Sequence, residues 1–420
     1  MRFQELVILL PCHSLEDFPV YSEGKEAQGL LAAWTALWHP ALIHSAQSMP
    51  TWSRMDDPPT EIDGRLLLIP PVSHTELPTG FFQRVKEGGG CPIRKKDTRD
   101  EILEIALDAL DDVPSFADEW IKDFFALSFA YLQVQILTRQ MRYSSNLDEV
   151  HFANQVVAAV NAAAEGSEAL AEEKLTACYD LLSEERDLFY SVDSFLVDLV
   201  LLAPTTLGKG LQAELGSQSP VNFLLTAGVL EALSLPEHAE VREALATAWS
   251  EGRIGIFACD EGELPLPLLP MEAMAGAVQR GRDSVQRVLG RAPKTFGRRR
   301  YGLTPQLPQT LRKLGMPHAL HATLEEGRFP EGSQIKSLWE GADGSTVDTI
   351  AKAPLDASQP ETFLGFALKT GESMDMDHVA TLTIAHWPGA GSPFLEDLRR
   401  AARRTTALGK FVTLDDYFSE

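Results

Sequence analysis

Ile254-Gly255-Ile256-Phe257-Ala258-Cys259-Asp260-Glu261-Gly262-Glu263 is a short apolar run that breaks abruptly into acids, followed by the proline-rich stretch Leu264–Pro270. A run this short, without helical period and closed by turn residues, reads as a strand buried on both faces, as strands of parallel sheets are. In parallel β/α folds the working groups sit at the C-terminal ends of strands, which is where this run delivers its acids. The same pattern recurs outward from it. Leu6–Leu10, Phe195–Leu202, Val221–Thr226, Thr295–Arg299, Pro317–His321, Thr346–Ala351 and Ala380–Ala385 read as further strands, with helices such as Ala239–Glu251, Met271–Leu289 and Pro308–Leu314 between them. The expected fold is α/β: an irregular (β/α)7-8 barrel with a helical insertion.

The insertion spans residues 98–186. Ile102, Ile105, Ala106 and Leu110 recur at helical spacing, as do Phe124, Leu127, Ala130 and Tyr131. Val156–Ala164 and Ala169–Leu182 continue the pattern in good helix formers. Residues 1–97 then open the barrel with its first strand, and 187–420 supply the remainder. The insertion reads as a lid, as a docking surface for a partner or a second copy, or as a packed subdomain with no part in binding. Stretches 56–63 and 86–96 read as loops.

Composition bounds the function. The 420 residues are 44% hydrophobic and 23% charged, and 60 acids against 37 Lys and Arg leave a net charge of -23. This balance opposes nucleic-acid backbones and anionic membranes and leaves room for a neutral sugar. The apolar run before Pro11 is too short to span a bilayer, and no signal-peptide pattern follows it, so a cytoplasmic protein is expected. Cys12, Cys91, Cys178 and Cys259 are far apart and form no Cys-x-x-Cys pair.

Strand ends provide the candidate residues. Asp260 and Glu261 stand close enough for one carboxyl to be raised toward general-acid duty. Asp198, inside an apolar run, is either hydrogen-bonded in the interior or exposed to a cavity. His13, followed by Glu16 and Asp17, holds a metal, a sugar hydroxyl or only its own loop. Arg298, Arg299 and Arg300 alternate sides, so one or two reach a carboxylate, either in the 260–263 cluster or on a substrate, unless they form surface ion pairs. His318 and His321 fall on opposite strand faces, leaving His321 to the pocket. Trp339 either stacks on a sugar face or packs in the core, and His386-Trp387 places an imidazole and an indole at the rim.

The order of Glu251–Glu261, Tyr301–Thr310 and Trp339–Ser345 resembles the N-terminal catalytic barrel of the α-mannosidases of glycoside hydrolase family 38, within the wider group shared with family 57 hydrolases and polysaccharide deacetylases. The resemblance covers Leu6–His13 and Asp193–Phe418. It implies a zinc-dependent hydrolase in which an Asp-Glu pair supplies the acid/base. Matching Tyr301-Gly302 to the family's Phe-Gly puts Arg299 at the aspartate that serves there as nucleophile and zinc ligand. Arginine can do neither.

The reading is a carbohydrate-active hydrolase without the family's zinc and without another cofactor. Asp260 or Glu261 is the acid, and Asp198, Glu340 or Asp17 is the second carboxylate; a separation of about 5 Å would give retention and a wider one inversion. His13, Asp17, Arg299, Tyr301, His321, Trp339, Glu340, His386 and Trp387 are the expected sugar contacts. The alternative is a catalytically inactive relative that binds glycan or a protein partner. Metal-assisted deacetylation requires a His/Asp triad that the histidine spacing does not offer.

Overall fold

The computed structural model describes every residue except 75, 76, 259, 261, 300–303, 322–335, 378 and 420. The chain divides into two compact units, Met1–Val192 with Gln359–Glu372 and Ser392–Gly409, and Asp193–Ser358 with Ser373–Gly391 and Lys410–Glu420.

The first unit carries a parallel four-stranded sheet of β1 (Glu5–Leu10), β2 (Thr51–Arg54), β3 (Arg65–Ile69) and β4 (Cys91–Arg94), in the order β2-β1-β3-β4. The run Leu6–Leu10, expected to open the barrel, is instead an inner strand of this separate sheet. Thr51–Arg54 and Arg65–Ile69 supply hydrogen-bonding partners on both of its edges, with Val7 opposite Thr51 on one side and Leu67 on the other. β4 lies inside the stretch 86–96 that reads as a loop, because Gly88–Gly90 and Pro92 mask a four-residue strand. Val7, Leu9, Leu67, Ile69, Phe81 and Val85 form the core on one face.

Helices Arg99–Asp108, Asp118–Arg142, Glu149–Ala164 and Glu168–Phe189 belong to the same unit. The second is buried all round from Asp123 to Thr138, the mark of a central helix rather than a surface one. Its buried amide Gln133 is satisfied, donating to Phe363 O at 3.0 Å and accepting from Ala367 N at 2.9 Å. Helix Pro393–Arg404 packs on it and brings Arg400 and Arg404 to Asp123, at 3.1 and 2.6 Å.

The second unit is built on a ten-stranded mixed sheet. In chain order the strands are β5 (Ser194–Leu201), β6 (Val221–Leu225), β7 (Ile254–Ala258), β8 (Thr295–Arg298), β9 (His318–His321), β10 (Lys336–Glu340), β11 (Thr346–Ala351), β12 (Leu355–Asp356), β13 (Ala380–His386) and β14 (Lys410–Phe411). The path is β10-β11-β9-β8-β7-β6-β5-β13-β12, with β14 also on β5; among the described residues only the β10–β11 pair is antiparallel. The expected α/β class and its large sheet are therefore observed, and the path agrees with an irregular barrel; no pairing joins β10 to β12 among the described residues.

Alternation along the strands sorts the side chains into two faces. Val200, Phe223, Ile256 and Ala258 meet helices including Ala239–Ser250 on one face. Val197, Leu199, Leu201, Leu224, Phe257, Leu320 and Ala385 gather on the other, where the C-terminal segment adds Val412, Leu414 and Tyr417.

Candidate functional site at the strand ends of the second unit

A cavity of about 500 Å³ lies at the C-terminal ends of the parallel strands, lined by Leu201, Arg299, Pro354, Leu355, Asp356, Ser358, Ala385, His386, Trp387 and Ala390. Leu201 and Ala385 belong to the apolar cluster on the face completed by the C-terminal segment, so the cavity continues that face at its open end. The sheet thus brings Arg299 to His386 and Trp387, more than eighty residues further along the chain. Asp356 and Ser358 were not among the sequence candidates. Asp356 accepts from Ser358 N at 2.8 Å and from Ser358 Oγ at 2.7 Å, a local turn that holds both polar groups in place. Its only signal in the sequence is an Asp two residues before a Ser.

The arginines divide as strand alternation requires. Arg298 is enclosed, with Nη1 3.1 Å from Asp260 Oδ1 and Nη2 donating to Leu264 O at 2.6 Å. Leu264 N donates to Asp260 Oδ2 at 2.9 Å. Burial pushes the Asp260 carboxyl above its ordinary value, and the Arg298 charge and backbone N–H donors only partly offset this. Arg299 turns to the cavity and is held by Glu263: its backbone N donates to Oε1 at 2.8 Å and its Nε to Oε2 at 3.0 Å. Burial alone would raise Glu263, but the hydrogen bonds and charge of Arg299, with the Arg298 charge, hold it below the usual carboxylate range.

Asp198 is fully enclosed, and of the two sequence alternatives the interior hydrogen bond is the one observed. Its Oδ1 lies 3.0 Å from His386 Nε2, while His386 Nδ1 faces Trp387 O at 3.0 Å. Both ring nitrogens therefore face acceptors. The Glu214 carboxylate also lies 3.8 Å from Nδ1, so the imidazole is held from both sides, and its bonds to Asp198 and to the Trp387 carbonyl fix the start of the loop carrying Trp387.

The remaining candidates separate. His321 is buried on β9 with its ring 5.0 Å from Trp339, and its Nε2 has no hydrogen-bond partner among the described residues. Burial, aided by the Arg298 charge, lowers its pKa to about 4. Trp339 packs beside Phe296, Ala319 and Val347, and Glu340 is exposed. His318 stacks on Phe418, on the face opposite His321. His13 and Asp17 are exposed residues of the first unit, in the segment after β1. Glu261 and Tyr301 lie outside the described residues.

Among the described residues no group of three or more His, Cys, Asp or Glu is arranged to hold a metal ion. The zinc implied by the family resemblance does not fit the described strand ends, since Asp198 and His386 are bonded to each other and Arg299 to Glu263.

No family model matches the chain, and no curated protein matches it. Among solved structures it is similar to a 4-alpha-glucanotransferase from Thermococcus litoralis, at 16% identity over 54% of this chain and 40% of that one, with a TM-score of 0.42. It is similar to an alpha-mannosidase from Enterococcus faecalis at 16% identity, over 54% of this chain and 29% of that one, with a TM-score of 0.39. A peptidoglycan deacetylase from Bacillus subtilis matches at 12% identity, over 54% of this chain and 90% of that one, with a TM-score of 0.29. The chain spans less than half the length of the first two, and the likeness is spread over carbohydrate-active enzymes and deacetylases without singling out one family.

Proposed function

We propose that the second unit binds carbohydrate in the cavity at its strand ends. The observation that carries this reading is the lining itself, in which the indole of Trp387 is grouped with Arg299, Asp356 and Ser358 around about 500 Å³. A sugar ring presents a C–H face that suits an aromatic plane and vicinal hydroxyls that suit planar carboxylate and guanidinium groups. The volume suits a small ligand.

Binding without cleavage is favoured over hydrolysis by a second observation: Asp198, Asp260 and Glu263 are each committed to a basic partner. Hydrolysis, the reading taken from the sequence, keeps Glu261 as its acid, with Asp356, a carboxylate in the cavity lining, as the second carboxylate. Titration calorimetry with neutral mono- and oligosaccharides tests the shared part: saturable binding is expected, weakened at least about tenfold in Trp387→Ala, the loss of one stacking contact at a desolvated site. No binding to any glycan sinks the proposal. Aryl glycoside turnover in the wild type that disappears in Glu261→Gln and in Asp260→Asn replaces binding with hydrolysis.

A further inference from the structure

We propose that the first unit has a ligand site of its own, at the C-terminal ends of β1, β3 and β4, for a phosphate ester of a sugar or other polyol. The order β2-β1-β3-β4 sends the chain from β1 toward one edge of the sheet and from β3 toward the other. The connections therefore leave adjacent strand ends in opposite directions, the arrangement at which parallel α/β sheets take their ligands.

The side chains at these ends divide by charge. At the outer end, Arg94 closes β4 and Lys95 follows it at φ 57°. Both are exposed, and neither has an ion-pair partner among the described residues, although acids outnumber bases in this chain by 60 to 37. The Arg94 guanidinium is held 4.5 Å from the centre of the Phe82 ring, and the His74 ring lies 5.7 Å from that same ring. An imidazole from the end of β3 and a guanidinium from the end of β4 are thus fixed around one aromatic plane. Beside them Ser73 is fully buried, and its Oγ and the His74 Nε2 have no hydrogen-bond partner among the described residues. Buried polar atoms are seldom left unsatisfied, and these two adjoin the ring cluster that His74 and Arg94 form with Phe82. A phosphate group offers the acceptors that the exposed Arg94 and Lys95 require.

The other end is acidic. Arg54 neutralises Asp56 through two hydrogen bonds, at 2.9 and 2.6 Å, while Glu16 and Asp17 remain exposed after β1 near His13. Carboxylates there would repel a second phosphate and accept hydroxyls, which is why the ligand is a phosphate ester of a polyol and not a polyphosphate.

The test is titration calorimetry on the full chain with inorganic phosphate, a hexose phosphate, a nucleoside monophosphate and the unphosphorylated hexose, in about 100 mM chloride to screen diffuse attraction. Saturable one-site binding of the esters is expected, weakened at least about tenfold in R94A/K95A and unchanged in the charge-matched control K25A/K313A. Trp387→Ala leaves this binding intact, which separates it from the sugar site of the second unit. The proposal is overturned by an absence of saturable binding to phosphate or its esters. It is equally overturned by equal affinity in R94A/K95A, or by hexose binding as tightly as its phosphate in the Trp387→Ala background.

Discussion

Asn222 lies in the middle of a strand, where an amide has no business unless the structure uses it. Its Nδ2 donates to Asp198 O at 3.2 Å and Val412 O at 3.1 Å, and its Oδ1 accepts from Leu414 N at 2.7 Å, tying the C-terminal segment to the sheet. Gly255 makes room for it, since a Cβ there would lie 1.9 Å from Asn222 Oδ1. Asn222→Ala should destabilise the protein by about 2–4 kcal/mol, because three buried backbone groups lose partners. Gly255→Ala should cost a similar amount, and the double variant should cost less than the sum, as urea unfolding would show. Equal and additive losses would refute the coupling. Likewise Arg298→Met should cost about 3–5 kcal/mol by stranding Asp260, and pairing it with Asp260→Leu should recover most of the loss. The residues around these contacts were partly legible. A carboxylate in an apolar run singled out Asp198 but left it either bonded in the interior or facing a cavity, and three successive arginines announced that neighbours would face opposite ways. Nothing in the sequence named the partners, because Glu263 and His386 reach Arg299 and Asp198 only through strand pairing.

At the scale of elements, the apolar runs of the second unit read correctly as strands, since burial on both faces leaves a continuous signal. Of the strands that escaped notice, β2 and β10 are exposed or half-buried along their length and β4 is broken by proline, whereas β3 is a buried apolar run like those that were read. Missing β2, β3 and β4 is also what sent β1 to the wrong sheet, because a strand's sheet is decided by its neighbours and not by its own residues. Helix Pro40–Ala46 gives a pH prediction. Its N-cap is His39, whose Nδ1 accepts from Ala41 N at 3.2 Å and whose burial lowers its pKa to about 4. The unfolded chain takes up this proton near pH 6.5 and the folded chain only near 4, so the contribution is intact above 6.5 and is lost as pH falls toward 4. Near pH 5 the loss should be about 2 kcal/mol from His39, and His321 should act in the same direction. His39→Asn retains a capping oxygen without the titration. Urea midpoints between pH 7 and 5 should fall less steeply in this variant, and an unchanged slope would contradict the assignment.

Across the whole molecule, the charge of -23 sets an expectation independent of any site. Repulsion among surface carboxylates opposes the compact state and is screened by salt, so melting temperature should rise by a few degrees between about 20 and about 500 mM NaCl. A flat or falling profile would mean that ion pairs such as Arg404–Glu172 outweigh the repulsion. No helix among the described residues is long and apolar enough to cross a membrane, in line with the short apolar run at the start of the sequence. Division into two units was not legible, because both are discontinuous and the sequence shows only a run of alternating elements. That discontinuity has a consequence for synthesis. A nascent polypeptide halted at residue 391 has made Asp123 but neither Arg400 nor Arg404, and it has made Asn222 but neither Val412 nor Leu414. Neither half can finish folding on the ribosome until residues 400–414 have emerged, so a chain cut after residue 391 should fail in both units together and be degraded in cells as a whole.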